Sequence, residues 1–112
     1  MEKSDIVEIL IPLMEREFSI NETLSQMNVN PPILWSWGMS DLTNVKNKGL
    51  LFKVNGHHHK GYVFITLSWC DTYTVRIVGT DGTIKDTYEM VYFDQLVEII
   101  DNRIEKVVDY VW

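Results

Sequence analysis

Residues 50–69 constrain the fold of this chain more than any other stretch. They read Leu-Leu-Phe-Lys-Val-Asn-Gly-His-His-His-Lys-Gly-Tyr-Val-Phe-Ile-Thr-Leu-Ser-Trp. Two β-rich runs flank Asn55-Gly56, the dipeptide best suited to a two-residue type I′ turn, where both positions need φ > 0. That turn predicts Val54 opposite His57, Phe52 opposite His59 and Leu50 opposite Gly61. Alternation then places Val63, Ile65, Leu67 and Trp69 on the face that holds Leu50, Phe52 and Val54. A slip of one residue would separate these two apolar sets, so the face assignment is strongly specified.

The chain's 112 residues are enough for one domain with one core, predicted to span 1–112. Its formal charge of −6 argues against direct contact with a phosphate backbone and permits a basic protein partner. The single cysteine, Cys70, excludes an internal disulfide and suits a reducing compartment. No stretch reaches transmembrane length, and the start of the chain lacks the basic region of a secretory signal. A cytoplasmic protein without a membrane partner is the expectation.

Helical patterning predicts a helical segment over residues 1–30. A first helix spans 5–17, with Ser4 as N-cap and Pro12 marking a kink or restart. Ile6, Val7, Ile9, Leu10, Ile11, Leu13 and Met14 make it apolar nearly all round, so most of its surface must be covered. Ser19-Ile20-Asn21-Glu22 matches a capping box for a second helix to about Asn28, burying Leu24 and Met27. Asn30-Pro31-Pro32 ends it.

A sheet is expected over 33–90. Its first strand starts at Ile33 and contains Trp35 and Trp37, with a turn at Asn47-Lys48-Gly49. After the central hairpin, Tyr73, Val75 and Ile77 share one side of a further strand, and Asp81-Gly82 turns into the last. There Asp86 breaks the inward parity of Ile84 and Tyr88, which implies a bulge or a place beyond the core. The closing helix, 94–111, is capped by Asp94 and buries Leu96, Ile100, Ile104, Val107 and Val111. The fold class is α+β: N-terminal helices, an antiparallel meander of about five strands, and a C-terminal helix on one face of the sheet.

Trp35-Ser-Trp-Gly38, Leu51-Phe-Lys-Val-Asn-Gly56, Lys60-Gly61-Tyr-Val63 and Asp94-Gln-Leu-Val-Glu-Ile-Ile-Asp101 together resemble small uncharacterised proteins of Bacteroides-type gut bacteria and their mobile elements. The resemblance covers most of the chain after Pro31. It implies a cytoplasmic bacterial protein and brings no activity or catalytic residues with it.

Three sets of residues carry functional expectations. His57 and His59 point the same way in a strand, a spacing that can give two ligands to one metal or a small-ligand site, although a full site needs three or four convergent groups. Shielding of the sheet's end is the plainer reading. Glu98, Asp101 and Glu105 belong to an acidic row on the last helix that a basic partner would fit, as would plain solvation. Of the four tryptophans, Trp35 and Trp69 are expected in the core. No nucleophile meets a base: Cys70 and the histidines lie at opposite ends of one strand. A non-catalytic module without a cofactor follows. It is expected to form a homodimer through the surplus apolar surface of the first helix, around Ile9 and Leu13.

Overall fold

In a computed structural model of the chain, residues 2–27, 38–56 and 59–104 are described. The elements run α1 (Lys3–Leu10), α2 (Ile20–Met27), β1 (Ser40–Val45), β2 (Gly49–Asn55), β3 (Lys60–Leu67), β4 (Tyr73–Val78), β5 (Ile84–Val91) and α3 (Leu96–Ile104). The strands form one antiparallel sheet in the order β1-β2-β3-β4-β5. The α+β meander read from the sequence is therefore the fold. Ile33, Trp35 and Trp37, expected in the first strand, lie outside the described residues, as do Glu105 to Trp112 of the expected closing helix.

The central hairpin differs from expectation in its turn and agrees in its faces. Val54 pairs with Gly61, Phe52 with Val63 and Leu50 with Ile65. The chain reverses between Gly56 and His59, whose backbone N–H and C=O meet at 3.0 Å, two residues beyond the expected tip. The cause lies in the cross-strand pairs. The expected turn would have set histidines against Phe52 and Val54. The observed register sets Val63, Ile65 and Phe64 against Phe52, Leu50 and Leu51, which are apolar pairs on both faces. Moving the tip by two residues shifts the pairing by an even number, so no side chain changes face. Leu50, Phe52, Val54, Val63 and Ile65 share one buried cluster.

Both faces of the sheet are covered. On one, α2 and α3 bring Ile20, Met27, Leu96, Ile100 and Ile104 onto the cluster just named, with Val75 and Ile77 from β4. On the other, Ile6 and Leu10 of α1 pack on Leu51, Tyr62, Phe64 and Val78. Each of these two α1 side chains is fully buried and contributes about 2 kcal/mol. The wide apolar surface of α1 thus has a place within the chain. The helix is also shorter than expected. It ends at Leu10, a 3₁₀ turn follows over Ile11–Leu13 with Pro12 inside it, and Met14 is already extended. Its N-cap is Glu2 rather than Ser4, with the Asp5 carboxylate accepting the Glu2 N–H at 3.4 Å.

The second helix starts as its sequence predicts, the Ser19 hydroxyl accepting the Glu22 N–H at 3.2 Å. Tyr73 at the start of β4 anchors it. Its hydroxyl lies 2.9 Å from Thr23 Oγ1, and its ring meets Phe18 edge-on with centroids 5.9 Å apart. The last helix is entered through a 3₁₀ turn, Phe93–Gln95, with Tyr92 rather than Asp94 at the N-cap position.

Candidate interaction surface

Both edges of the sheet are blunted. Ser40 pairs with Lys53 and Thr43 with Leu51, so β1 carries one extra residue there, and Asp41 within it has φ 55°. Two such bulges interrupt β5. One lies between the Ile77–Asp86 and Val78–Ile84 pairs, the other between Val75–Tyr88 and Tyr73–Val91. Bulged edges with charged side chains resist pairing with a further strand. The first β5 bulge moves Ile84 to the other face, opposite Val78, and leaves Asp86 on the inward face with Tyr88. Asp86 pairs across from the inward-facing Ile77, and its carboxylate accepts a hydrogen bond from Arg103 Nε of α3 at 2.5 Å.

The two ends of the sheet are built differently. At the end where β2 turns into β3, His59 is 3 % exposed and faces inward. Its Nε2 lies 3.1 Å from the Tyr62 carbonyl oxygen. Burial holds its imidazole below the ordinary histidine range, with the Lys85 and Arg103 charges acting in the same direction. His57 lies outside the described residues. Among the described residues no three of His, Cys, Asp and Glu cluster as metal ligands would.

At the opposite end, β3 leads into a tight loop. Ser68 N–H donates to the Thr72 carbonyl at 2.8 Å and Asp71 N–H to the Ser68 carbonyl at 3.1 Å. Asp71 takes φ 63°, and its carboxylate is paired with Arg16. Trp69 sits at the loop's crown, 73 % exposed. It was expected in the core as a continuation of the strand. The strand stops at Leu67, and the turn needed to reach β4 lifts the indole into solvent. Thr72 Oγ1 lies 3.7 Å from Met90 Sδ on the neighbouring strand. Met90, at the second bulge with φ 58°, is 60 % exposed, and Tyr92 and Phe93 beyond it are 55 % and 60 % exposed.

Four large exposed apolar side chains therefore stand at this end of the sheet, on the β3–β4 loop and at the end of β5, which touch at Thr72 and Met90. At roughly 200 Å² per side chain they together leave on the order of 500 Å² of apolar surface in water. Left-handed backbone occurs at Asp71 and Met90 on both sides of this corner, as it does at Asp41, Lys46 and Asn47, where the chain turns or bulges. Sequence reasoning passed over Met90, Tyr92 and Phe93. The signal was two adjacent aromatics at a strand-to-helix junction, which cannot both turn inward.

Cys70 lies within the same loop. Ser68 Oγ and Thr72 Oγ1 lie 3.0 and 3.2 Å from its Sγ and hold the thiol below its ordinary range. It is separated from His59 by the length of β3, roughly 25 Å for its eight residues.

The other expected site residues are scattered. Ile9 on α1 is 42 % exposed, and Leu13 is half-buried against the α1-covered face. Glu98 is exposed on α3, Asp101 is partly covered, and Glu105 lies outside the described residues.

Comparisons with protein-family models, with curated proteins and with solved structures give no match. Among the described residues no helix is long and apolar enough to cross a membrane.

Proposed function

We propose that this chain is a non-catalytic interaction module that self-associates, with the corner formed by Trp69, Met90, Tyr92 and Phe93 as its contact. The observation that carries this reading is the joint exposure of those four side chains on backbone held in place by the 68–72 loop and the β5 bulge. Exposed tryptophan, tyrosine and methionine on a rigid support are the residue types that anchor protein contacts. Two copies placed corner to corner in an isologous contact would cover about 1,000 Å², the lower limit for a specific interface. Blunted edges argue against strand addition as the route, and α1 has most of its apolar surface spent on the sheet.

Sedimentation velocity across micromolar concentrations tests the reading. The wild-type chain should sediment as a dimer, and the Trp69→Ser, Phe93→Ser double variant as a monomer with unchanged circular dichroism. A wild-type chain that stays monomeric throughout refutes it.

A further inference from the structure

We infer that Met90 is an oxidation switch for the Trp69 corner: a hydroperoxide adds one oxygen to its Sδ, and the sulfoxide loosens the joint with Thr72 and opens the contact. The effect on association rests on the self-association reading above; the reactivity of the sulfur does not. Among the described methionines Met90 is the open one. It is 60 % exposed, whereas Met27 is fully buried and Met14 and Met39 are partly covered by the two cores. With Glu89 it stands opposite the single residue Thr74 in the second β5 bulge, so the strand carries one residue too many for the pleat there.

The same sulfur joins the two halves of the corner. The Thr72 hydroxyl donates to Met90 Sδ at 3.7 Å. Thr72 belongs to the loop that carries Trp69, and Met90 to the strand end that leads into Tyr92 and Phe93. A thioether sulfur is a weak acceptor with two lone pairs. Thr72 engages one of them, and the other is left for chemistry.

The step is a two-electron oxygen transfer. The remaining lone pair attacks the terminal peroxide oxygen, an S–O bond forms and the O–O bond breaks. The proton of the attacked oxygen passes to the departing one, which leaves as water or an alcohol. Sulfur is oxidised and the hydroperoxide is reduced. A flexible apolar side chain has become a polar one. The new oxygen is a stronger acceptor than the sulfur and stands outside it, so the Thr72 hydroxyl must re-aim. That hydroxyl also holds its loop, with Ser68 Oγ 3.1 Å and Cys70 Sγ 3.2 Å away. The change at Met90 thus reaches the loop under Trp69. In the contact itself, the S=O dipole would have to shed water among apolar groups, which opposes association.

Hydrogen peroxide tests the switch on the full chain carrying Cys70→Ser. This substitution removes the exposed thiol, the other sulfur that the oxidant meets here, and keeps a hydroxyl in reach of Thr72. At a dilution where single copies prevail, peptide mass spectrometry should show Met90 gaining oxygen several-fold faster than Met14, Met27 or Met39. The Trp69 indole N–H resonance should shift in step with that gain. Sedimentation should show association weakened about tenfold, and restored when methionine sulfoxide reductases remove the oxygen. In a Cys70→Ser, Met90→Leu chain, peroxide should move neither the resonance nor the sedimentation from that variant's untreated values. Oxidation of Met90 no faster than of buried Met27 overturns the inference. So does an unmoved Trp69 resonance, or a dimer that survives full conversion of Met90. A wild-type chain that is monomeric before any oxidant refutes the self-association reading instead, and the rates and the Trp69 resonance then decide the switch.

Discussion

The two ends of this sheet are made by the same strands and have opposite surfaces. At the hairpin end the chain is closed. His59 lies on Gly61, the backbone of β4 approaches to where no side chain fits, and Arg103 ties α3 to Asp86. At the other end the backbone is equally well held, yet four large apolar side chains face water. The difference teaches that exposure here is not looseness. One end concentrates packing and the other presents it, so damage to the first should read out as stability and damage to the second as association. The largest stability effect is expected from Gly61→Ala. Its methyl group meets main chain rather than a flexible side chain, and urea denaturation should show a loss of about 3 kcal/mol. Trp69→Ser by the same measurement should stay within about 0.5 kcal/mol of wild type, as exposed positions do. A comparable loss at both positions would erase the distinction between the ends.

Association sharpens the contrast from the other side. Phe93→Ser alone should weaken self-association at least tenfold, about 1.4 kcal/mol, because an aromatic anchor at the centre of a small contact carries much of its energy. Ile9→Ser on α1 should leave the sedimentation profile unchanged. If Ile9→Ser splits the dimer and Phe93→Ser does not, the contact lies on the first helix and the corner is merely exposed.

Much of the fold was legible because strand alternation and helical spacing are strong signals, and the reason for each miss is specific. Parity placed Leu50, Phe52, Val63 and Ile65 together even though the turn was set two residues early. Asn55-Gly56 is a local preference, and matched apolar pairs along two strands outweigh it. The same parity argument undervalued Leu51, Tyr62 and Phe64, the off-face residues of those strands. A run apolar at consecutive positions means a sheet covered on both sides. The cover is α1, whose Ile6 and Leu10 fill that face. Trp69 was misplaced because a period-two pattern contains no signal for where a strand stops; Thr72 and Asp71 held that information in their turn chemistry. The exposed corner depends on the second bulge in β5, near Met90, which has no signature within the strand, whereas the parity break at Asp86 signalled the first.

The smallest effects concern the ion pairs that join helical elements to the sheet. Lys3 Nζ reaches Asp41 at 2.8 Å and Thr43 Oγ1 at 2.9 Å, tying α1 to edge strand β1. Arg103 and Asp86 do the same for α3 and edge strand β5. Solvent screens the Lys3 pair somewhat more, since both its partners are over a third exposed, whereas in the second pair Asp86 is 43 % exposed and Arg103 only 24 %. Asp86→Asn should therefore lose about 1 kcal/mol and Lys3→Met only about 0.5 kcal/mol, with thermal melts at low and high salt separating the two. Salt should remove most of the Lys3→Met difference and less of the Asp86→Asn one. Equal salt sensitivity would mean that the hairpin end is as open to water as the rest of the rim, and the closed-end account of His59 would lose its main physical support.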